Sequence, residues 1–194
     1  MPHTKETSLP TAEQLDMERR RLRYKRRYNR TLRSTVAILI VVAALAVLAA
    51  TLWMPVLRVY GSSMAPTLHN GEILVSVKIK DFSSGDIIAF YHGNKLLIKR
   101  YIAGPSDYVN VDEDGIVSVN GTLLDEPYLA EKAYGEADIE FPYQVPDQRY
   151  FVMGDNRSVS IDSRSSIVGC IAGDQIVGKV VFRVWPLSAF GPLN

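Results

Sequence analysis

The stretch EILVSVKIK, residues 72–80, alternates residue by residue. In an extended chain Ile73, Val75, Val77 and Ile79 fall on one side, with Ser76, Lys78 and Lys80 on the other. A period of two over this length reads as a β-strand, and further runs of the same kind fill the chain beyond it. DIIAFY (86–91) and LLIKRYIA (96–103) are apolar runs of strand length, separated by the turn residues HGNK (92–95). IVSVNGTLL (116–124) carries Asn120-Gly121, a pair that tolerates the positive φ of a tight hairpin. RYFVMGD (149–155) and QIVGKVVFRVW (175–185) complete the series. No helical stripe of comparable length occurs beyond residue 57, so the expected class is mainly β. Residues 108–147 are richer in acids, Tyr and Pro, and read as a smaller insertion between more apolar strands.

Ahead of these strands the composition changes. From Ser34 to Leu57 there is no charged residue, and 36–53 read VAILIVVAALAVLAATLW. About 20 apolar residues in a helix span the roughly 30 Å hydrocarbon core of a bilayer. The segment is too long for the apolar region of a cleaved leader, and TLWMP offers a poor cleavage site, so it reads as a retained anchor over 34–54. Residues 19–33, RRRLRYKRRYNRTLR, hold nine basic side chains and no acid. A short basic segment with Tyr24 and Tyr28 could meet nucleic acid. Its place beside a span marks it instead as a cytoplasmic flank, with no nucleic-acid partner expected. The organisation expected is a basic cytoplasmic tail (1–33), one membrane helix and an extracytoplasmic domain (55–194).

The 194 residues contain one cysteine, Cys170, which excludes an intramolecular disulfide and reads as a small buried hydrophobe. His3, His69 and His92 lack metal-ligand spacing. NVDEDG (110–115) begins like a calcium loop, but Gly121 stands where the bidentate Glu is needed. It reads as a hairpin turn, and no metal or organic cofactor is expected.

Two serines, Ser62 and Ser63, stand in YGSSMAPTL (60–68), just beyond the span. A serine hydroxyl needs a base beside it. His69 and His92 keep a Ser-His-Asp triad open, because triads assemble in space. Lys99, mid-strand in LLIKRYIA, is the other candidate. Period-two geometry puts it on one face with Leu97 and Tyr101, while Ile98 and Arg100 take the other. Burial there would lower its pKa and make it a base; reaching out to water would leave it a cation.

At this point the chain resembles the bacterial type I signal peptidases, a family of Ser-Lys membrane proteases. GSSMAPTL resembles the family's nucleophile segment, SGDIIAF (84–90) its Gly-Asp strand, and IKRYIAGPSD (98–107) its Lys-Arg segment. VNGTLLDEPYL (119–129) resembles the linking hairpin, MGDNRSVSIDSR (153–164) the Gly-Asp-Asn-Arg…Asp-Ser-Arg segment, and VGKVVFRVWPL the last strand. The likeness runs in order from about residue 34 onward and leaves 1–33 uncovered.

The resemblance implies Ser63, the serine before Met64, as nucleophile and Lys99 as general base. It implies Ser160 as the hydroxyl that orients the lysine, and Asp155 with the Asp162–Arg164 pair as supports. The oxyanion would be met by the backbone N–H of Ser63. Gly61 stands where some relatives carry a second, hydroxyl donor, and AGPSD departs from the usual Gly-Leu-Pro-Gly-Asp. The function implied is removal of signal peptides from exported preproteins at the cell membrane, through an acyl-enzyme, after Ala-x-Ala. Ile98, Ile88 and Phe90 are the pocket walls expected for those small residues. Two other readings are a self-cleaving repressor, which would need a DNA-binding domain, and a non-enzymatic single-pass protein with a partner-binding β-domain.

Overall fold

The computed structural model describes residues 11–79 and 81–193; His3 and Lys80 lie outside the described residues. Contacts divide the chain into two units, up to Ala49 and from Ala50 onward.

Helix α1 runs Ala12–Trp53. Its start is specified locally: the Gln14 side chain accepts from the Thr11 N–H at 3.1 Å, the return half of a Thr-x-x-Gln capping box. Its end is specified by Pro55, which disfavours helical geometry at Met54. The basic stretch and the apolar stretch form one unbroken helix, and it is long and apolar enough to cross a membrane.

The second unit holds twelve strands: β1 (Val56–Arg58), β2 (Ile73–Val77), β3 (Ile87–His92), β4 (Lys95–Ala103), β5 (Tyr108–Val111), β6 (Val117–Val119), β7 (Thr122–Leu123), β8 (Tyr143–Gln144), β9 (Arg149–Met153), β10 (Ile171–Ala172), β11 (Ile176–Trp185) and β12 (Gly191–Pro192). The larger sheet has the order β1-β2-β11-β3-β4-β9-β10, with β12 also on β11. The smaller has the order β7-β6-β5-β8. Both sheets are open, and every pairing is antiparallel. The class is therefore β-rich behind one apolar helix.

The hairpin β6–β7 turns at Asn120 (φ 51°) and Gly121 (φ 81°), the positive pair that this turn demands. The acidic turn is capped from within: Asp112 Oδ1 accepts from the N–H groups of Asp114 (3.1 Å) and Ile116 (2.7 Å). Cys170 is buried among Val109, Val145, Phe151 and Met153, in the apolar cluster that joins the two sheets. Between β7 and β8 the chain from 124 to 142 forms neither helix nor strand.

Strand β2 departs from the sequence expectation. It ends at Val77, and its fully buried side chains are Leu74 and Ser76, while Ile73, Val75 and Val77 are half-buried. Leu74 packs with Leu57, Met64, Leu68 and Ala89. Ser76 tolerates burial because its hydroxyl donates to the Pro55 carbonyl at 3.2 Å. Hydrophobicity alone pointed to the other face; a satisfied hydroxyl reversed it.

Strand β4 keeps the expected alternation. Lys99 stands opposite Ile88, Leu97 opposite Phe90, and Ile98 opposite Ala89. Strand β9 pairs with β4 only from Arg100 onward. Among the described residues, β4 thus has no strand partner on that side at Leu96–Lys99.

Candidate active site

Lys99 is 3% exposed, buried along with its neighbours rather than extended into solvent. Its Nζ donates to Ser160 Oγ at 2.8 Å. Burial lowers its pKa from 10.5 to about 8. The Asp162 carboxylate opposes the shift, Arg164 adds to it, and Asp155 opposes it. With its pKa near 8 the amine is neutral in about a tenth of molecules at pH 7, far more than an ordinary lysine, and that fraction can accept a proton.

The Gly154–Asn156 segment lies between this contact and Ser63. The Asn156 N–H donates to the Ser63 carbonyl at 3.0 Å. A Cβ on Gly154 would collide with Ser160 Oγ and stand 2.5 Å from the Ser63 carbonyl oxygen. Only glycine allows the Ser63 backbone and the Ser160 hydroxyl to close over one point. The Gly154 N–H in turn donates to Asp162 Oδ2 at 2.9 Å. Residues 61–68 are held on their other side by Arg183, whose Nη2 donates to the Thr67 carbonyl at 2.8 Å while Nη1 bonds Glu72 at 3.0 Å.

Three buried ion pairs surround this segment. Arg100 binds Asp155 twice, Nε to Oδ1 at 2.8 Å and Nη2 to Oδ2 at 2.6 Å. Asp155 Oδ2 also accepts from the Thr67 hydroxyl at 2.5 Å. Arg164 binds Asp162 through Nε and Nη2, both at 2.9 Å. Burial alone would raise the Asp162 pKa, yet the bonds and charge of Arg164, with the Gly154 N–H, hold it below the ordinary value. Arg157 pairs with Glu126.

The residues singled out from sequence fall in several places. Lys99 and Ser160 touch. Ser63 reaches the same segment through its own backbone. Asp155, Asp162 and Arg164 each sit in a buried ion pair. His69 is exposed, 3.7 Å from Glu72, and His92 ends β3 beside the hairpin turn. Ile88 and Phe90 are fully buried, packed with Val152 and Ile171. Ile98 is half-buried on the opposite face, against the cluster of Met64 and Ala89. The three expected pocket walls thus do not line one surface. A fully buried side chain inside a packed core has no face to offer a substrate.

Sequence reading missed Arg100, Thr67, Arg157 and Glu126 as individual contributors. Their partners lie 31 to 88 residues away in the chain, so no spacing announces them.

A model of the signal peptidase family, peptidase S26, matches residues 31–185. Signal peptidase I S of Bacillus subtilis (strain 168) is 37% identical over 146 residues, 69% of this chain and 78% of its own. Signal peptidase IB of Staphylococcus aureus (strain COL) is 40% identical over 151 residues, 67% of this chain and 77% of its own. A solved signal peptidase I from Enterococcus faecalis V583 covers 53% of this chain and 98% of its own, at 30% identity and TM-score 0.45.

The buried amine gives a direct measurement. In protein labelled with carbon-13 at the lysine ε-carbons, one resonance is expected to titrate at about 8 and to vanish in Lys99→Met. A Lys99 resonance that titrates near the ordinary 10.5 would contradict its burial.

Proposed function

Because the chain belongs to the signal peptidase family S26, and is a membrane-anchored serine endopeptidase of the type I signal peptidase class, we propose that it removes N-terminal signal peptides with Ser63 as nucleophile and Lys99 as general base. The observation that carries this reading is the Lys99–Ser160 contact: a buried amine, oriented by a hydroxyl, beside the segment that binds the Ser63 backbone.

The chemistry proceeds in two halves. Neutral Lys99 takes the Ser63 hydroxyl proton as Oγ attacks the scissile carbonyl carbon. The carbonyl oxygen gains the negative charge and is met by the Ser63 N–H. Collapse breaks the C–N bond; the lysinium returns its proton to the leaving amine, and the mature chain departs. Lys99, neutral again, then takes a proton from water, whose oxygen attacks the acyl carbon. Collapse of that intermediate frees the Ser63 oxygen, which recovers the proton. Ser160 keeps the Nζ lone pair directed through both halves.

The unpaired edge of β4 at Leu96–Lys99 suits an extended substrate added as a further strand. Alternate side chains would then point one way, giving the Ala-x-Ala spacing. Half-buried Leu96 and Ile98, over buried Met64, supply a shallow apolar wall there. Of the three expected wall residues, this reading keeps Ile98. Overpacking such a wall typically costs about 1–3 kcal/mol, enough to reject bulk. The nine basic residues of 19–33 support an orientation with the N-terminus in the cytoplasm and the β-rich unit outside the cell membrane.

Four outcomes are expected. Incubated with a preprotein, Ser63→Ala, Lys99→Ala and Lys99→Arg should give no cleaved product by N-terminal sequencing, while Ser62→Ala keeps most activity. The sign of the pH dependence comes from the base: protonated Lys99 is inert, so kcat/KM should rise with pH through about 8. A dead Ser62→Ala beside an active Ser63→Ala would reassign the nucleophile. In a peptide series, Ala should be cleaved and Phe refused immediately before the cut, with the middle residue nearly free. Equal cleavage of Ala and Phe there would mean that no such wall selects the substrate. Finally, protease added outside spheroplasts should digest the chain beyond residue 58 and spare the N-terminal tail; the reverse pattern would overturn the orientation.

A further inference from the structure

The irregular segment between β7 and β8 packs against the back of the site through arginines. The Tyr128 ring lies under the Arg100 guanidinium, 3.7 Å from centroid to carbon. In its own plane that guanidinium binds Asp155 and the Gly85 carbonyl, and its face has no hydrogen bond to offer. A stacked ring fixes the plane of a group whose edges are committed. The Tyr128 hydroxyl donates to Glu126 Oε1 at 2.8 Å. Burial and the Glu126 carboxylate both raise the Tyr128 pKa, so the hydroxyl stays a donor. Glu126 also accepts from Arg157 Nη1 at 3.3 Å and from Nη2. Arg157 Nε then donates to the Gly154 carbonyl at 3.2 Å.

Two routes therefore leave one short stretch, DEPY (125–128). One runs Tyr128–Arg100–Asp155–Thr67 and ends in the loop that carries Ser63. The other runs Glu126–Arg157–Gly154 and ends where Ser63 and Ser160 close together. They converge on adjacent residues, Gly154 and Asp155.

We propose that Glu126 and Tyr128 are positioning residues of this peptidase, fixing Arg100 and Arg157 so that Gly154–Asn156 presents Ser63 and Ser160 to Lys99. This rests on the reading of Ser63 and Lys99 as the dyad. It gives the inserted subdomain a role in catalysis that needs no contact with substrate. Glu126 is itself buried, and the apolar wall at Met64 and Ile98 lies in a different cluster of side chains.

The test uses the full chain in detergent, a signal-peptide substrate, and separate kcat and KM values. Tyr128→Leu removes ring and hydroxyl; Tyr128→Phe keeps the ring; Glu126→Gln keeps the shape and removes the charge. Misplacement of reacting groups by about 1 Å costs up to roughly 100-fold, so Tyr128→Leu and Glu126→Gln should lose about 10- to 100-fold in kcat. Their KM should stay within about twofold, since substrate binding is untouched. Tyr128→Phe should recover most of kcat, within about threefold of the parent, because the stack survives.

Circular dichroism establishes that each variant is folded. If either Tyr128→Leu or Glu126→Gln does not fold, the other decides. Folded variants with parental kcat and a lowered melting temperature would overturn the proposal, because the irregular segment 124–142, a strap across the arginines, would then be structural alone. A raised KM with kcat kept would also overturn it, because the strap would then touch substrate. Either result beside an inactive Ser63→Ala leaves the dyad standing, whereas an active Ser63→Ala removes the dyad itself.

Discussion

A lysine amine enclosed in protein is tolerated when it gives up its charge or meets a compensating one. Lys99 lies between these conditions. Burial presses it towards neutrality, and the Asp162 and Asp155 carboxylates restrain that shift without cancelling it. The restraint is mild because each carboxylate is already engaged by an arginine, Asp162 by Arg164 and Asp155 by Arg100. Three buried arginines stand against three buried carboxylates, counting Arg157 with Glu126. Removing one partner of such a pair leaves an uncompensated buried charge and typically costs about 3–5 kcal/mol. The site therefore depends on all three pairs being made together.

The local parts of the fold were legible in the sequence. Asn120-Gly121 specifies its turn by backbone freedom, and β4 specifies its two faces by alternation. Both signals are complete within a few residues. The inner face of β2 was not legible in that way. Ser76 is fully buried because a carbonyl 21 residues earlier accepts its hydroxyl, and no hydropathy pattern encodes that contact. The irregular chain from 124 to 142 falls within the insertion expected over residues 108–147. Its attachment was invisible, because arginines on distant segments hold it.

The site divides along the same line. Composition and period left Lys99 open between a snorkelling cation and a base, and resemblance to a family chose between them. Burial is what separates the two physically, and burial is a tertiary property: Lys99 has Ile88 across the strand and Ser160 at its tip, 61 residues away. The expected pocket walls divide between two faces for a related reason. Ile88, Ile98 and Phe90 are all apolar strand residues, but register sends Ile98 to one face and the other two to the opposite one. Neighbouring strands contribute to one surface only in matched register, and register was not readable before β3 and β4 were paired.

The strap also explains why so much charge is buried here. Where irregular backbone packs against the protein its carbonyls need partners, and it has no ladder to supply them. Arg164 Nη1 donates to the Tyr134 carbonyl at 2.6 Å, and its Nη2 donates to the Arg157 carbonyl at 2.9 Å. One guanidinium thus satisfies a carboxylate and two stretches of irregular chain at once, which the rigid five-donor fork permits and an ammonium does not. Gly135 completes the fit, since a Cβ there would stand 2.5 Å from Arg164 Nη1 and collide with the Arg157 carbonyl oxygen. Arginines that pack the insertion and arginines that balance the carboxylates near Lys99 are the same residues. Packing of the strap and electrostatics at the amine are consequently one property of this fold, and a change made in either is felt in the other.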